Sequence, residues 1–450
     1  MVLWKSKPEP IMTVVQARYQ RTRQRREQQR HLSRSQRLER RRRRAQAHLE
    51  VLEHSFLELM DKTELEPSVR DKLGRQAKLF GQLFAMMFSS AFAGGSYRQL
   101  VQRLGINKNL PGRILRALPR KSWQDRFRKM GRSILAELLC GVPQMSEASR
   151  SRSQVTLVVD STLMRKFSDK MRLVARGYSG QTDSVVLGVD VVLLVAVIGD
   201  GTFIVPLDFA IRRPDPAGAG RPCHDKLILT ETMVERSVNW LLEQELVTGP
   251  PLLVGDSWFG SSALAKALEE LCGAALLVNG KAAWVFYLDG GRRLEGKELF
   301  EEPSLQRRQS PQAPGMSYAR VLANSPSFGR VVLSIVWPYD EQDPYYLLCR
   351  DTMMSSPRLL RAWQRRSWIE WCFRALKHLL EAGAGAVHSE GAYYGHLALR
   401  LMALTILLYS VQRRLHRAAT MEQVLWGIRE HWQSLDSKFL NLKALSSTPS

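Results

Sequence analysis

Residues 184–211 read SVVLGVDVVLLVAVIGDGTFIVPLDFAI, two long runs of Val, Leu and Ile separated by Asp200-Gly201. Branched apolar side chains favour strands, and Asp-Gly is a two-residue hairpin turn. The two runs therefore read as one long hairpin with Asp200-Gly201 as its tight turn. Around this hairpin lie the strand VTLVVD (155–160), the helix DKLILTETMVERSVNWLLEQEL (225–246) and the strand PPLLVGDSWFG (250–260). The helix SSALAKALEELCG, which Ser261 or Ser262 can cap, and the strand AALLVNG (274–280) follow. Strands and helices in this order predict an α/β fold with a mixed sheet and flanking helices.

Residues 281–352 carry further strands, AAWVFYLDG, MSYARVLA, RVVLSIVWPYD and YYLLCRD. Residues 353–416 turn helical, and 417–450 form a C-terminal tail with a Ser-rich end. The expected organisation is a core (151–280), a β-rich insertion (281–352) and a second core segment (353–416). Before the core, residues 55–150 show helical three-and-four spacing, as in LGRQAKLFGQLFAMMF (73–88). Within them, residues 96–120 read as two short helices joined at Gly105. Arg113, Arg116 and Arg120 are assigned to the second helix, in the pattern of a DNA-binding helix-turn-helix or of an ordinary helical hairpin.

Charge gives the first indication of a partner. The chain has 66 Lys and Arg against 43 Asp and Glu, a net +23. Residues 18–44 alone hold 13 Arg and two Glu, including the run Arg41, Arg42, Arg43. Such a surplus suits a polyanion, because neutralising each phosphate releases counterions. The segment 18–44 has no apolar stripe, so residues 1–54 are expected to form a disordered basic arm that contacts phosphates. Five scattered cysteines form no C-x-x-C pair, which argues against a disulfide framework or structural zinc and suits a reducing compartment. Asp190 and Arg400 interrupt the longest apolar stretches. A cytosolic protein with no membrane partner is expected.

Three carboxylates bear on chemistry. Asp160 and Asp256 each stand where a buried strand emerges, the place where functional groups of open α/β sheets gather. If their strands are neighbours, the two face each other, and a shared cation would relieve their repulsion. Taken singly, such an Asp is more often a turn residue. Asp190 can be a ligand or a hydrogen-bonded sheet residue, and Asp200 is a turn residue. The third is Glu370, in WQRRSWIEWCFRALK (363–377). At about 100° per residue, Trp363, Arg366, Glu370 and Lys377 fall within an arc of roughly 60° on one helical face. An exposed ion pair with Arg366 or Arg374 accounts for Glu370 locally, but not for the alignment of all four.

The spacing W363-x2-R366-x3-E370-x6-K377 resembles the Tyr-x2-Arg-x3-Glu-x6-Lys signature of DDE-type transposases of bacterial insertion sequences. VVDST around Asp160 and GDSWFG around Asp256, with Phe259 three residues on, are similar to the two aspartate contexts of that group. The resemblance covers about residues 155–415. It implies an RNase H-like catalytic domain interrupted by a β-rich insertion. It also implies two Mg²⁺ ions, replaceable by Mn²⁺, with Asp160 bridging and Asp256 and Glu370 each completing one ion's coordination. Trp363, Arg366 and Lys377 would hold DNA. The partners implied are transposon ends and target DNA, in a homodimer or larger synaptic complex in the bacterial cytosol or nucleoid. Trp363 departs from the family's Tyr: it can stack but has no phenolic hydroxyl for phosphate. Trp284 and Trp337 are further stacking candidates, although core packing explains them as well.

Three other readings share parts of this pattern. They are an RNase H-like nuclease without strand transfer, a catalytically silent DNA-binding regulator derived from a transposase, and a carboxylate-pair glycosidase. The basic charge gives the last no reason to prefer a neutral sugar.

Overall fold

The computed structural model describes residues 34–74, 79–93, 96–105, 107–140, 155–166, 171–179, 183–199, 201–213, 224–310, 316–338, 343–383, 387, 389–417 and 419–431. Among the described residues twelve strands form one mixed, mostly antiparallel sheet. The apolar runs give β1 (Val155–Arg165), β3 (Ser184–Ile198) and β4 (Phe203–Ile211), with the short β2 (Ala175–Ser179) between the first two. β1 and β3 pair antiparallel along their whole shared length, from Val155 opposite Ile198 to Arg165 opposite Gly188. β4 pairs with the second half of β3, whereas β2 pairs with its first half.

On its other side β1 runs parallel to β5 (Leu252–Gly255), which runs parallel to β6 (Leu276–Asn279). The central order is therefore β4-β3-β1-β5-β6. Six further strands, β7 (Val285–Leu288), β8 (Arg293–Glu295), β9 (Arg308–Gln309), β10 (Ser317–Ser325), β11 (Gly329–Trp337) and β12 (Tyr345–Cys349), come from the stretch 281–352. They extend the same sheet, because β12 adds antiparallel to β6.

Two local features shape the β3–β4 hairpin. Gly199 and Gly201 both take positive φ, and the indole of Trp368 lies where a Cβ on Gly201 would stand. Only glycine permits that contact. Asp200 lies outside the described residues. A register shift between Leu194 and Val195 sits opposite Pro206, a residue that cannot donate to a ladder and is confined to edges and bulges.

The helices are α1 (Arg34–Thr63), α2 (Leu65–Leu73), α3 (Leu79–Met87), α4 (Ser89–Ala93), α5 (Tyr97–Leu104), α6 (Leu110–Ala117) and α7 (Arg120–Cys140), followed after the hairpin by α8 (His224–Glu243), α9 (Ser262–Cys272), α10 (Ser356–Gln364), α11 (Ser367–Arg374) and α12 (Glu390–Tyr409). Ser261 caps α9. The N-terminal helices share one apolar core with the sheet. α7 lies along the outer strand β4: Gly131 brings its backbone onto Pro206, and the Gln124 amide donates to the Phe209 carbonyl at 2.9 Å. An exposed strand edge is thus covered by a helix. α12 is buried from Ala392 to Tyr409. With its continuation to Arg414 it is long and apolar enough to span a membrane, yet its most apolar stretch is almost wholly buried inside the molecule. Its buried Arg400 donates to the Met87 carbonyl and to Ser89.

Three expectations need adjustment. The arm is not disordered throughout, because residues 34–54 belong to α1. Ala45, Leu49, Leu52, Phe56 and Leu59 make a buried stripe, and the helix they anchor continues backward through Arg37–Arg44. Residues 1–33 lie outside the described residues. VTLVVD does not end at Asp160 but runs on to Arg165. Finally, α5 and α6 occupy the expected positions, joined through Gly105 at φ 60, but Arg120 begins the next helix because Pro119 intervenes. α6 buries Leu110, Ile114 and Leu115 and leaves Arg113 and Arg116 exposed.

A Cβ on Gly131 would stand 2.5 Å from the Pro206 carbonyl oxygen, and one on Gly112 would meet only the flexible end of Arg116. Gly131→Ala should therefore destabilise the protein by about 1–3 kcal/mol in urea unfolding. Gly112→Ala, inside α6, should stabilise it by about 0.5–1 kcal/mol.

A carboxylate cluster at the centre of the sheet

Asp160 sits in the middle of β1, opposite Leu193 of β3. On the other side the parallel register pairs Val158 with Val254. Two residues further along, Asp256 lies level with Asp160, just past the end of β5. Asp256 is fixed by its own turn, its Oδ1 accepting the amide N–H groups of Trp258 at 2.9 Å and Phe259 at 3.4 Å. Phe259 is fully buried and pins that turn to the core.

Glu370 comes from the helical block. That block is not one straight helix: α10 ends at Gln364 and α11 starts at Ser367. Between them the amides of Arg365, Arg366, Trp368 and Ile369 bond three residues back, so the turn is tightened. After Arg374 the chain widens into a π-turn over Ala375–Leu379. Within this frame the Arg366 guanidinium bridges two of the carboxylates. It donates to Glu370 Oε1 at 2.6 Å and to Asp160 Oδ2 at 3.3 Å, and it stands 5.4 Å from the Trp363 ring. Lys377 lies in the π-turn, half-buried. Burial lowers its pKa and the Asp160 charge opposes that shift.

The electrostatics mark Asp160 as the focus. Burial pushes its carboxyl up to about 6, and the neighbouring Asp256 and Glu370 charges push the same way, against Arg366 and the Ser161 amide. The expected group of Asp160, Asp256, Glu370, Trp363, Arg366 and Lys377 thus converges on one place. The guanidinium stands between Asp160 and Glu370. Among the described residues no three His, Cys, Asp or Glu side chains are gathered to hold a metal. By chemistry the three carboxylates are oxygen donors, the kind that a hard divalent cation takes, and the charges of Asp256 and Glu370 work against ionisation of the buried Asp160.

Lys226 had no signal in the sequence. It lies in the first turn of α8, and its Nζ donates to Ser161 Oγ at 2.9 Å, pairs with Asp190 at 2.8 Å and stands 4.7 Å from the Trp258 ring. Neighbours of both aspartates are tied to one cation, and no spacing in the chain links 226 to 161 or 258. Asp190, also 3.7 Å from Arg212, is accordingly an ion-pairing residue. Trp284 packs on Gly260 and Phe328, and Trp337 lies under Arg307.

The remaining basic candidates stand elsewhere. Arg113 and Arg116 project from α6, and Arg41, Arg42 and Arg43 are exposed on α1. There Arg41 stacks on Trp426 and Arg43 pairs with Glu39. On the opposite sheet face from Asp160, Asp208 is buried between Arg128 and Arg236 at the floor of a 710 Å³ groove. No protein-family model and no curated protein matches the chain.

The raised carboxyl has a consequence for folding. Between an unfolded value near 3.8 and a folded value of about 6, the folded chain binds more protons, so Asp160 lowers stability as pH rises through that window. Asp160→Asn should then be more stable than the parent by about 1–3 kcal/mol at pH 8 in a chelator. The gain should vanish toward pH 4 in thermal melts.

Proposed function

We propose that the protein is a DDE-type transposase with an RNase H-like catalytic domain. It would cut at the ends of a mobile DNA element and join the 3′ ends to target DNA. The observation that carries this reading is the convergence of Asp160, Asp256 and Glu370, from a central strand, the loop after its parallel neighbour and a helix, with Arg366 and Lys377 beside them. The order β4-β3-β1-β5-β6, with strands of the stretch 281–352 inserted before the Glu-bearing helix, supports the fold assignment.

Asp160, Asp256 and Glu370 would hold Mg²⁺ or Mn²⁺, and bound ions of this kind activate water and stabilise a leaving 3′ oxygen. Lys377 and Arg366 would hold phosphates of the cut strand, Arg as a fork and Lys as a point charge. Trp363 supplies an aromatic face in place of the family's Tyr. The basic face of α1, with Arg41, Arg42 and Arg43, and the pair α5–α6, with Arg113 and Arg116, would engage DNA away from the reacting phosphodiester. Two such subunits or more would be needed to bring two ends together.

The test is a cleavage and joining assay on DNA carrying the sequences that flank the gene. Mg²⁺-dependent nicking and strand transfer are expected, and Asp160→Ala, Asp256→Ala and Glu370→Gln should each reduce both by at least about a hundredfold. Cleavage without joining of a pre-cut 3′ end would indicate a nuclease instead. DNA binding with no cleavage would indicate a silent regulator.

Replacing Arg41, Arg42 and Arg43 together by Ala should weaken DNA binding regardless of sequence. It should also flatten the dependence of log affinity on log salt by about 2–3. Fluorescence anisotropy at several salt concentrations measures it.

A further inference from the structure

Two demands fall on Arg366: it holds two carboxylates in the structure, and a phosphate contact would draw on the same guanidinium. In the structure both of its terminal nitrogens are committed to carboxylates, Nη1 to Glu370 and Nη2 to Asp160. Its side chain is only one-fifth exposed, and the Trp363 ring lies 5.4 Å from its guanidinium carbon. Its Nε is buried without a partner among the described residues, so a bidentate phosphate contact through the Nε–Nη edge would require the side chain to move. The carboxylates are bound as well: while the guanidinium bridges Asp160 and Glu370, those oxygens are engaged and a positive charge stands between them.

We propose that Arg366 is a resident cation that holds the carboxylate site closed. A divalent cation entering between Asp160 and Glu370 displaces it, and only then is it free to grip a DNA phosphate. Metal and DNA binding are thereby coupled through one side chain. This rests on the reading of the site given above and adds the order in which its parts become available. The fork suits the exchange: planar, permanently charged and donating on two edges, it satisfies two carboxylates or one phosphate with the same guanidinium. Trp363 gives the displaced guanidinium a face to lie on, which needs an aromatic ring and no hydroxyl. Lys377 does not take part in the exchange, because its ammonium is on the π-turn and makes no bond to Glu370 among the described residues.

The coupling must be reciprocal, so whatever factor the cation adds to DNA affinity, DNA adds to cation affinity. The experiment uses the full chain at pH 8 with Ca²⁺, an oxygen-seeking ion, as the probe cation and a nicked, mixed-sequence duplex as the probe DNA. Calorimetry on the protein without DNA should show Ca²⁺ binding at least about threefold more tightly to Arg366→Met than to the parent, since a charge-assisted competitor has been removed. Anisotropy should show Arg366→Met weakening DNA binding about fivefold or more when Ca²⁺ is present and less than about twofold when it is absent. Arg366→Lys, which keeps the charge but not the fork, should fall between the two in both measurements and guards against a folding defect in the Met variant.

Unchanged or weaker Ca²⁺ binding by Arg366→Met overturns the proposal. So does an equal loss of DNA affinity with and without Ca²⁺, which would make Arg366 a plain phosphate contact. If the parent protein binds neither Ca²⁺ nor DNA, the reading of the site as a metal-dependent DNA site fails, and the switch fails with it.

Discussion

A carboxylate in the middle of a strand that is buried on both faces is the constraint around which this molecule is arranged. β1 is buried through Val155–Val159, flanked by β3 and β5 and packed against α11, and Asp160 continues the same buried run. Desolvation alone disfavours its charge, and a second carboxylate level with it across the parallel register disfavours it further. A positive group therefore has to come from elsewhere in the chain, and Arg366 supplies it on the Asp160 face. The surroundings of Asp160 are in this sense a response to one ill-solvated acid. A purely structural strand would have been simpler with valine there.

Much of this could be read from the chain, and the reason is periodicity. The hairpin at 184–211, the strand before Asp256 and the helix that Ser261 caps are local patterns, and each lies where its residues put it. The level of the two aspartates was legible too, because VTLVVD and PPLLVGD set Asp160 and Asp256 opposite each other once the strands are parallel neighbours, even though β1 runs on past Asp160. What could not be read depends on long-range placement. Lys226 is one cation in an ordinary amphipathic helix until folding sets it against Ser161 and Asp190. The packing of α7 along β4 is equally hidden, since Gly131 and Gln124 carry no pattern. The helical half of the arm was missed for a different reason. Residues 18–44 have no apolar stripe of their own, and the stripe that anchors Arg37–Arg44 begins only at Ala45.

The helical block around Glu370 shows how far a straight-helix argument reaches. At 100° per residue Trp363, Arg366, Glu370 and Lys377 share one ridge, and the four do meet at one place. The path between them is nevertheless irregular, tightened over residues 365–369 and widened over 375–379. In the tightened turn residues three apart eclipse, which sets the guanidinium of Arg366 over the ring of Trp363. The widened turn gives Lys377 an orientation in which it senses the charge of Asp160. π-Turns and short tightened turns are strained relative to a continuous helix, and they collect where a side chain must be re-aimed.

That strain bears on why an acid stands among cations at this point. The Arg366–Glu370 contact, with Glu370 about half exposed, is of the kind that adds little to stability. Two departures from regular helix would be an extravagant way to obtain it. The same geometry makes sense if the four side chains must be aimed at a common point outside the helix. That point is the Asp160 carboxylate in the middle of β1, which Arg366, Glu370 and Lys377 all address.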